Sequence, residues 1–366
     1  MTRIRQWVTG GWNVALPVLA IIVLALTWGR TLPGVLVAIV ALLLAGSVLA
    51  AVHHAEVVAH RVGEPFGSLV LAVAVTVIEV ALIVSMMASG GSKAGSLARD
   101  TVFAAVMITC TGIVGLSLLM GTARHRIVVF NAEGTGGALA TVATLSTLSL
   151  VLPTFTTSSA NLTFSPAQLV FAAVASIALY LLFMLTQTVR HRDYFLPVTK
   201  EGETLPPEEH AQAPSGRRTL ASLGVLLVAL IAVVGLAKVE SPIIELAVHT
   251  AGLPESLVGV IIALLVLLPE TLAAGRAARR GRMQTSLNLA LGSAMASIGL
   301  TIPAIAIASI WMTGPLVLGL GPVHMVLLAI TVAVSILTVV PGRATLLQAG
   351  VHLALFAGFL FLAVSP

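Results

Sequence analysis

The fold is decided by two apolar stretches, GEPFGSLVLAVAVTVIEVALIVSMM (residues 63–87) and PESLVGVIIALLVLLPETLAAG (residues 254–275). A shift of 191 residues places Glu79 of the first stretch on Glu270 of the second. An ionisable group in the core of a bilayer costs roughly 2.5–3.5 kcal/mol on insertion scales, so a glutamate kept there has a function. The repetition indicates a duplicated membrane element with one acidic group in each copy, and it predicts a site shared between the copies.

The composition indicates a membrane protein. Hydrophobic residues make up 58% of the 366 residues and charged residues only 9%, and the mean hydropathy is +1.08. In a soluble protein roughly a quarter of the residues are charged, so this composition excludes the soluble classes. Long apolar runs predict helices, because the strands of a membrane barrel alternate over about ten residues. The one cysteine, Cys110, excludes a disulfide framework and a cysteine-based metal cluster.

Apolar runs of about 20 residues predict about eleven transmembrane helices. Prolines near the ends of the runs, such as Pro166, Pro242 and Pro322, support the boundaries. The first run follows a short basic segment, as in a signal peptide, but no clean small-residue cleavage site follows it, so a retained helix is expected. The runs cover residues 12–29, 32–52, 66–88, 101–121, 137–153, 165–187, 220–237, 255–275, 285–310, 316–340 and 344–364.

The distribution of lysine and arginine predicts the orientation. With the N-terminus in the cytoplasm, four of the 19 basic residues fall in outer loops: Arg30, Lys93, Arg99 and Lys238. The others lie in inner segments, among them Arg124, Arg126 and Arg343. This bias follows the positive-inside rule and predicts a cytoplasmic N-terminus and an outer C-terminus. The basic residues lie in short loops beside the spans, so the net charge of +5 does not indicate nucleic-acid binding.

The order of the helices predicts two inverted five-helix repeats plus one N-terminal helix. The two glutamates lie on the third and eighth helices, which run in opposite directions, as in many secondary transporters. The helices that follow them also match, with a shift of 184 that places Thr109 on Ser293 and Gly115 on Gly299. The predicted segments are an extra N-terminal helix (1–31), a first half (32–189), a flexible cytoplasmic linker (190–219) and a second half (220–366).

Two carboxylates from opposed helices would form a cation site. If Glu79 and Glu270 meet near the middle of the bilayer, they supply two negative charges and hard oxygen ligands, of which Ca²⁺ prefers six to eight. Without a metal ion, two nearby carboxylates in a low dielectric cannot both stay ionised. The site therefore holds either a cation or protons, and this competition is the physical basis of antiport.

Other oxygen atoms near the glutamates are candidate ligands. Pro269 cannot donate to the carbonyl four residues earlier, which frees the carbonyl of Leu265. Four hydroxyl residues are further candidates. Thr76 lies one turn before Glu79, Thr109 and Ser293 are matched by the repeat, and Ser297 lies one turn after Ser293. Small polar residues are common between membrane helices, so each of the four has packing as its competing interpretation.

Further polar residues also have two interpretations. Glu64 and Glu255 are matched by the shift of 191 and stand at helix starts, where capping is favoured over a role in cation entry. A group of residues follows the second apolar run, where a solvated loop is favoured over a proton relay. The group consists of His53, His54, Glu56 and His60. A single membrane glutamate can also serve as a structural hydrogen-bonding group, but a matched pair argues against this.

Three stretches resemble the calcium/cation antiporter superfamily, and within it the bacterial ChaA-type Ca²⁺/H⁺ antiporters. They are GEPFGSLVLAVAVTVIEVALIVS (63–85), RHRIVVFNAEGTGGALATVATLSTLSLVLP (124–153) and PETLAAGRAARRGRMQTSLNLALGSAMASIGLTIPA (269–304). The resemblance implies ten core helices plus one N-terminal helix, ion binding by Glu79 and Glu270, and Ca²⁺ and H⁺ as transported substrates without a cofactor. The asparagine-containing motifs of other superfamily members are missing, and Thr109 and Ser293 occupy that region.

The sequence predicts transport rather than catalysis. The favoured function is a bacterial inner-membrane antiporter that exports Ca²⁺ in exchange for H⁺, and the alternative is a Na⁺(K⁺)/H⁺ antiporter that uses the same carboxylates. A passive channel is a third function left open. An intramembrane enzyme is disfavoured, because there is no His-Glu-x-x-His motif and His324 and His352 stand isolated near spans. Membrane lipid and further copies of the chain are the remaining partners considered.

Overall fold

The computed structural model describes residues 11–30, 32–63, 66–88, 94–198, 214–254, 256–312 and 314–365. The α-helices are α1 (Trp12–Thr27), α2 (Gly34–Val62), α3 (Phe66–Met87), α4 (Leu97–Met107), α5 (Val114–His125), α6 (Ala132–Ser146), α7 (Leu152–Phe155), α8 (Pro166–Leu185), α9 (Gly216–Thr250), α10 (Ser256–Val266), α11 (Leu268–Arg279), α12 (Met283–Ala308), α13 (Pro322–Val339) and α14 (Leu346–Val364). Three π-helical segments are Ile108–Ile113, Thr147–Val151 and Thr186–Arg190. Shorter elements are the 3₁₀ turns Ala94–Ser96 and Arg192–Phe195 and the strands β1 (Val128–Val129) and β2 (Arg343–Ala344).

The predicted all-α membrane fold is confirmed. Among the described residues, nine helical segments are long and apolar enough to cross a membrane, and the bent pair α10–α11 adds a tenth. The apolar helix α1 is shorter, with 16 residues. Each of the eleven apolar runs is therefore helical. Two π-helical segments join shorter helices into single spans, Leu97–His125 and Ala132–Phe155.

Two helices extend beyond their predicted ends. α2 continues to Val62, so the residues that follow the second apolar run lie on a helix, and the predicted solvated loop is wrong. His54 is buried there, and its ring N–H donates to the carbonyl of Asn13 at 3.3 Å. α9 has 35 residues and contains Pro242, which was predicted to mark a helix end. A proline removes one backbone hydrogen bond, and packing of α9 against α2 and α3 supports the helix on both sides of it.

One compact unit contains α1, α2, α3 and α9. α2 packs along α9, and α1 packs against both. Glycines allow these close approaches, because a Cβ at Gly46 would lie 2.8 Å from the Leu16 side chain and a Cβ at Gly235 would overlap Leu24. At the end of α1 the ammonium of Lys238 lies 5.4 Å from the centre of the Trp28 ring. This contact joins the interior of α9 to the residue that follows α1.

A second compact unit contains the remaining helices, and its helix packing follows the predicted repeat. The span formed by α4 and α5 packs against α14, and its counterpart α12 packs against α8. The matched glycines lie at these two contacts. A Cβ at Gly115 would lie 3.0 Å from the Cβ of His352, and a Cβ at Gly299 would lie 2.8 Å from that of Tyr180. Small residues thus permit the same close helix crossing in both halves.

The loops of this unit pair in the same repeated way. β1, after α5, pairs with β2, before α14, with Val129 opposite Arg343. A second antiparallel bridge joins Thr163, before α8, to Val317, before α13. Thr163 and Arg343 are 180 residues apart, so each bridge is the counterpart of the other. The prediction from positive charge places the loops joined by β1 and β2 on one side of the membrane, and this pairing agrees with it.

The helices that follow these bridges begin with the same cap. Ser165 and Gln168 form a capping box at the start of α8. Thr345 and Gln348 form one at the start of α14, again 180 residues further on. Each box satisfies two backbone N–H groups that the first turn leaves without partners. The repeat therefore extends to the local chemistry of helix initiation.

The predicted linker at 190–219 begins with an ordered segment. The turn Arg192–Phe195 lies against the start of α6 and against α12. Phe195 is buried beside the ring of Phe183, and its carbonyl accepts a hydrogen bond from the Asn288 amide at 2.7 Å. The carboxylate of Glu133 raises the pKa of the neighbouring Tyr194 hydroxyl. Residues 199–213 of the predicted linker lie outside the described residues.

Candidate functional site

Glu79 lies on α3, in the unit formed by α1, α2, α3 and α9. Its side chain is only 3% exposed, and the adjacent Ile78 and Leu82 are buried as well. Thr76 lies one turn earlier on the same face and is also buried. The apolar run therefore places one predicted carboxylate, with one predicted hydroxyl neighbour, in the interior of a helix bundle rather than on a lipid-facing surface.

Glu270 lies at a break in its span. α10 ends at Val266, α11 begins at Leu268, and the two helices are bent by 52°. Pro269 lies at the start of α11 and has no N–H to donate, so the α-helical partner of the Leu265 carbonyl is missing. Glu270 occupies the first turn of α11, where the helix dipole favours a negative charge. Many secondary transporters form their ion site at a discontinuous helix of this kind, where one half-helix begins beside the bound ion.

The hydroxyl candidates of the second unit lie on elements that pack against α11. α11 contacts α12, which carries Ser293 and Ser297, and it also contacts the π-helical segment Ile108–Ile113. Ser297 is buried and Ser293 is half-buried. Thr109 is completely buried, and its hydroxyl donates to the carbonyl of Ala105 at 2.7 Å. A threonine oxygen in this state keeps lone pairs with which it can accept a bond or bind a cation.

The first unit thus holds Glu79 with Thr76, and the second unit holds Glu270 with Leu265, Thr109, Ser293 and Ser297. Sharing of one ion by the two glutamates stays a prediction. Within the residues described, no three or more His, Cys, Asp and Glu side chains come together in a group able to hold a metal ion. The candidate donors are therefore carboxylate, hydroxyl and carbonyl oxygens, which suit hard cations such as Ca²⁺ or Na⁺ better than transition metals.

A family comparison matches both halves of the chain. The model of the sodium/calcium exchanger protein family matches residues 14–189 and 221–365. The chain belongs to the sodium/calcium exchanger family. The unmatched residues between the two segments coincide with the linker predicted at 190–219. The exchanger is thus a multi-pass membrane protein of an ion-transporting family and not an enzyme, and the ions it moves are its substrates.

Individual relatives of the exchanger cover nearly its whole length. It is 46% identical to the putative ionic transporter y4hA of Sinorhizobium fredii (strain NBRC 101917 / NGR234) over 97% of this chain and 96% of the relative. It is 35% identical to the sodium-potassium/proton antiporter ChaA of Escherichia coli (strain K12), over 95% and 94%. The crystal structure of the H⁺/Ca²⁺ exchanger CAX has the same fold, with a TM-score of 0.72, 16% identity, and coverage of 99% and 89%.

A second repeated motif of the exchanger was missed by the sequence analysis. AEVVAHRVGEP (55–65) and IELAVHTAGLP (244–254) share glutamate, histidine, glycine and proline at a shift of 189. Gly63 and Gly252 both adopt positive φ, 75° and 67°, as residues that end helices do. The motif therefore ends the helix before each glutamate-bearing helix. Glu64 and Glu255, predicted to cap helices, lie outside the described residues.

Two buried titratable groups of the exchanger were also not predicted as site residues. Glu240 on α9 is 3% exposed, and its Oε1 has no hydrogen-bond partner among the described residues. It follows Lys238 closely in sequence, so the composition of this segment looked like an outer loop. His352 on α14 is 1% exposed and makes two hydrogen bonds. In the sequence it appears only as an isolated histidine near a span.

Proposed function

We propose that the exchanger is a Ca²⁺/H⁺ antiporter of the bacterial inner membrane. In this proposal Glu79 and Glu270 bind either one Ca²⁺ or protons, and alternating access moves the two cargoes in opposite directions. The observation that carries the proposal is the match of these two glutamates across the repeat, with Glu79 buried inside its bundle and Glu270 at a helix break. Neither residue type nor position is expected from helix packing alone, since carboxylates are costly at membrane depth.

The coupling follows from the charge of the carboxylate pair. Two ionised carboxylates out of water repel each other and lose hydration, so the empty, doubly charged site is unfavourable. Ca²⁺ neutralises both charges at once, and protons neutralise them one at a time. A carrier that reorients only when the site is neutral therefore exchanges Ca²⁺ for protons. Oxygen atoms of Leu265, Thr109 and the serines of α12 would complete the ligand shell that Ca²⁺ requires.

We propose a cytoplasmic N-terminus and an outer C-terminus. The strong excess of lysine and arginine in the inner segments supports this orientation. Many large apolar side chains are exposed on the helices, such as Leu42, Phe171 and Leu337. Membrane lipid is the partner that would cover them, and contact between copies of the chain would cover part of the same surface.

The alternative cargo is a monovalent cation. The relative named a sodium-potassium/proton antiporter, at 35% identity, supports this alternative. One Na⁺ or K⁺ would neutralise only one of the two carboxylate charges, and a proton retained on the second glutamate would neutralise the other. Charge balance favours the divalent ion, because Ca²⁺ needs no retained proton.

Proton flux in everted membrane vesicles tests the proposal. The vesicles are acidified inside by respiration, and a fluorescent dye reports the pH gradient when CaCl₂, NaCl or KCl is added separately. We expect Ca²⁺ to collapse the gradient, relative to vesicles from cells that lack the protein. A response to Na⁺ or K⁺ alone would establish the monovalent alternative. Cation flux that ignores the proton gradient would overturn antiport altogether and indicate a channel.

A further inference from the structure

His352 lies in the interior of the second unit and is held by two hydrogen bonds. Its Nδ1–H donates to the carbonyl of Cys110 at 2.9 Å. Its Nε2 lies 3.1 Å from the hydroxyl oxygen of Thr338. The same hydroxyl oxygen lies 2.9 Å from the carbonyl of Val334, one turn earlier on α13. The ring is therefore fixed in orientation by three elements: the π-helical segment, α13 and its own helix α14.

The hydroxyl of Thr338 allows this arrangement to accept one more proton without moving any heavy atom. A hydroxyl has one proton, so it cannot donate to the ring and to Val334 at the same time. When the ring is neutral, Thr338 donates to Nε2. When the ring is protonated, Nε2–H donates to Thr338, and the hydroxyl proton turns to the carbonyl of Val334. Both charge states thus leave every polar atom of the network with a partner.

The carbonyl that receives Nδ1–H is released by the π-helical segment. Val114 N–H donates to the carbonyl of Thr109, five residues earlier, instead of to Cys110, four residues earlier. π-Bulges of this kind often occur at functional sites. Because the ring of His352 uses the released carbonyl of Cys110, the bulge and the histidine stabilise each other. The same π-helical segment contacts α11, which carries Glu270.

A small cavity lies beside the ring of His352. Its polar lining is Thr135, Ser335, Thr338 and His352, and its other walls are apolar. It has room for about one water molecule. The cavity also touches Phe130, which directly follows β1, and Val339, which ends α13.

We propose that His352 is a proton-binding site of the exchanger, separate from the carboxylate pair, and that its proton lowers the affinity of the Glu270 region for cations. The proposal rests on the antiport function proposed above. A charged ring strengthens the bond to the Cys110 carbonyl, because charge-assisted hydrogen bonds are roughly twice as strong as neutral ones. It also adds a positive charge next to the segment that contacts α11. Acidification then weakens cation binding beyond direct competition at the carboxylates.

None of the titratable side chains on the described elements around His352 is hydrogen-bonded to its ring. α14 packs against α5, the π-helical segment, α10, α13 and β2. The titratable groups on these elements are Cys110, Arg124, His125, His324 and Arg343. The Phe103 ring of α4 also contacts Phe359 of α14, and α4 carries Arg99 and Asp100. Among them Cys110 is the residue hydrogen-bonded to His352, through its backbone. The cavity lining contains no charged residue besides the histidine itself.

The first test measures the pH dependence of cation binding with His352→Gln, which keeps a donor and an acceptor but cannot be charged. The apparent affinity for Ca²⁺ of purified protein is measured between pH 5.5 and 8.5. We expect a weaker pH dependence than in the wild type, with the midpoint shifted by roughly half a pH unit or more. The exposed His125→Gln is the matched control and should match the wild type. An unchanged pH dependence in His352→Gln would refute the proposal.

The second test observes the charge state of the ring directly in the wild-type protein, and a variant serves only to assign the signal. Nitrogen NMR of ¹⁵N-histidine-labelled protein distinguishes neutral from charged rings, and Thr338→Val or His352→Gln assigns the signal. We expect the signal of His352 to change with pH in the range over which Ca²⁺ affinity changes. A ring that stays in one charge state from pH 5 to 8.5 would overturn the proposal. Failure of the antiport proposal would be seen separately, as absence of proton flux in vesicles.

Discussion

Leu162 and Gly342 occupy equivalent positions of the two halves and share a left-handed backbone, with φ of 61° and 65°. The carbonyl of Leu162 accepts a hydrogen bond from Gly319 N–H at 2.9 Å, and the carbonyl of Gly342 accepts one from Phe130 N–H at 3.0 Å. Leucine adopts this conformation at a cost of roughly 1–2 kcal/mol, whereas glycine adopts it without this cost. The repeated loop bridge therefore requires the same backbone conformation in both halves, even where the residue is unsuited to it.

Substitution at Gly342 is predicted to destabilise the bridge between β1 and β2. Gly342→Leu introduces the strain that Leu162 already has, and its Cβ would lie 3.3 Å from the carbonyl oxygen of Phe130. We expect a loss of roughly 1–2 kcal/mol, measured by thermal unfolding in detergent. Gly350→Ala on α14 is the control, since its Cβ would meet open space. Equal stability of Gly342→Leu and the wild type would contradict the role assigned to this backbone conformation.

Removal of either site carboxylate is predicted to abolish exchange. Glu79→Gln and Glu270→Gln keep the size of the side chain but remove one negative charge and one ionisable group. Loss of an outer-shell partner of a metal already costs about 10–100-fold, so we expect exchange in vesicles to fall by roughly 100-fold or more. Glu133→Gln, at an exposed position of α6, is the control. Robust exchange in both site variants would refute the site assignment.

The helix break before Glu270 is predicted to be needed for cation binding. Pro269→Ala restores an N–H that can bond the carbonyl of Leu265, so we expect α10 and α11 to straighten and one oxygen ligand to be lost. Ca²⁺ affinity should fall by about tenfold, within the range seen when a metal site is disturbed. Pro303→Ala is the matched control, because Pro303 lies inside α12 without breaking it. Wild-type affinity in Pro269→Ala would show that the Leu265 carbonyl is not a ligand.

The two matched glycines are predicted to be equally intolerant of a side chain. Gly115→Ala and Gly299→Ala each place a methyl group within 3.0 Å of a neighbouring helix. Overpacking of this kind typically costs 1–3 kcal/mol, so both variants should have lower melting temperatures. Gly292→Ala adds the same methyl group to α12 in open space and should be neutral or stabilising. If only one of the pair were destabilised, the two helix crossings would not be equivalent.

Docking of the start of the linker is predicted to depend on Gly134. A Cβ at this position would overlap the carbonyl of Tyr194, so Gly134→Ala should displace the turn Arg192–Phe195. We expect faster trypsin cleavage at Arg192, followed by mass spectrometry of the fragments. Gly137→Ala lies on the same helix with nothing within 4 Å and should leave the cleavage rate unchanged. Identical rates for the two variants would show that the turn is not held by this contact.

Much of the architecture could be predicted because bilayer burial leaves a strong sequence signal. The eleven apolar runs and the matched glutamates follow from the cost of exposing backbone and charge to lipid. The ends of α2 and α9 were predicted less well. Hydropathy decreases where the bilayer ends, but α2 continues to Val62 and α9 to Thr250, and the positive-φ residues Gly63 and Gly252 follow these two ends.

The sequence by itself determined the apolar runs, the repeat and the two acidic positions, because all three depend on residue type and spacing. Only the tertiary structure decided which backbone carbonyls lose their helical partners and which polar side chains are buried. The bond from His352 to the carbonyl of Cys110 and the bond from Gly319 to the carbonyl of Leu162 both join segments that are far apart in the sequence. No local pattern encodes such contacts, since each side of them appears in the sequence as an ordinary apolar or loop residue.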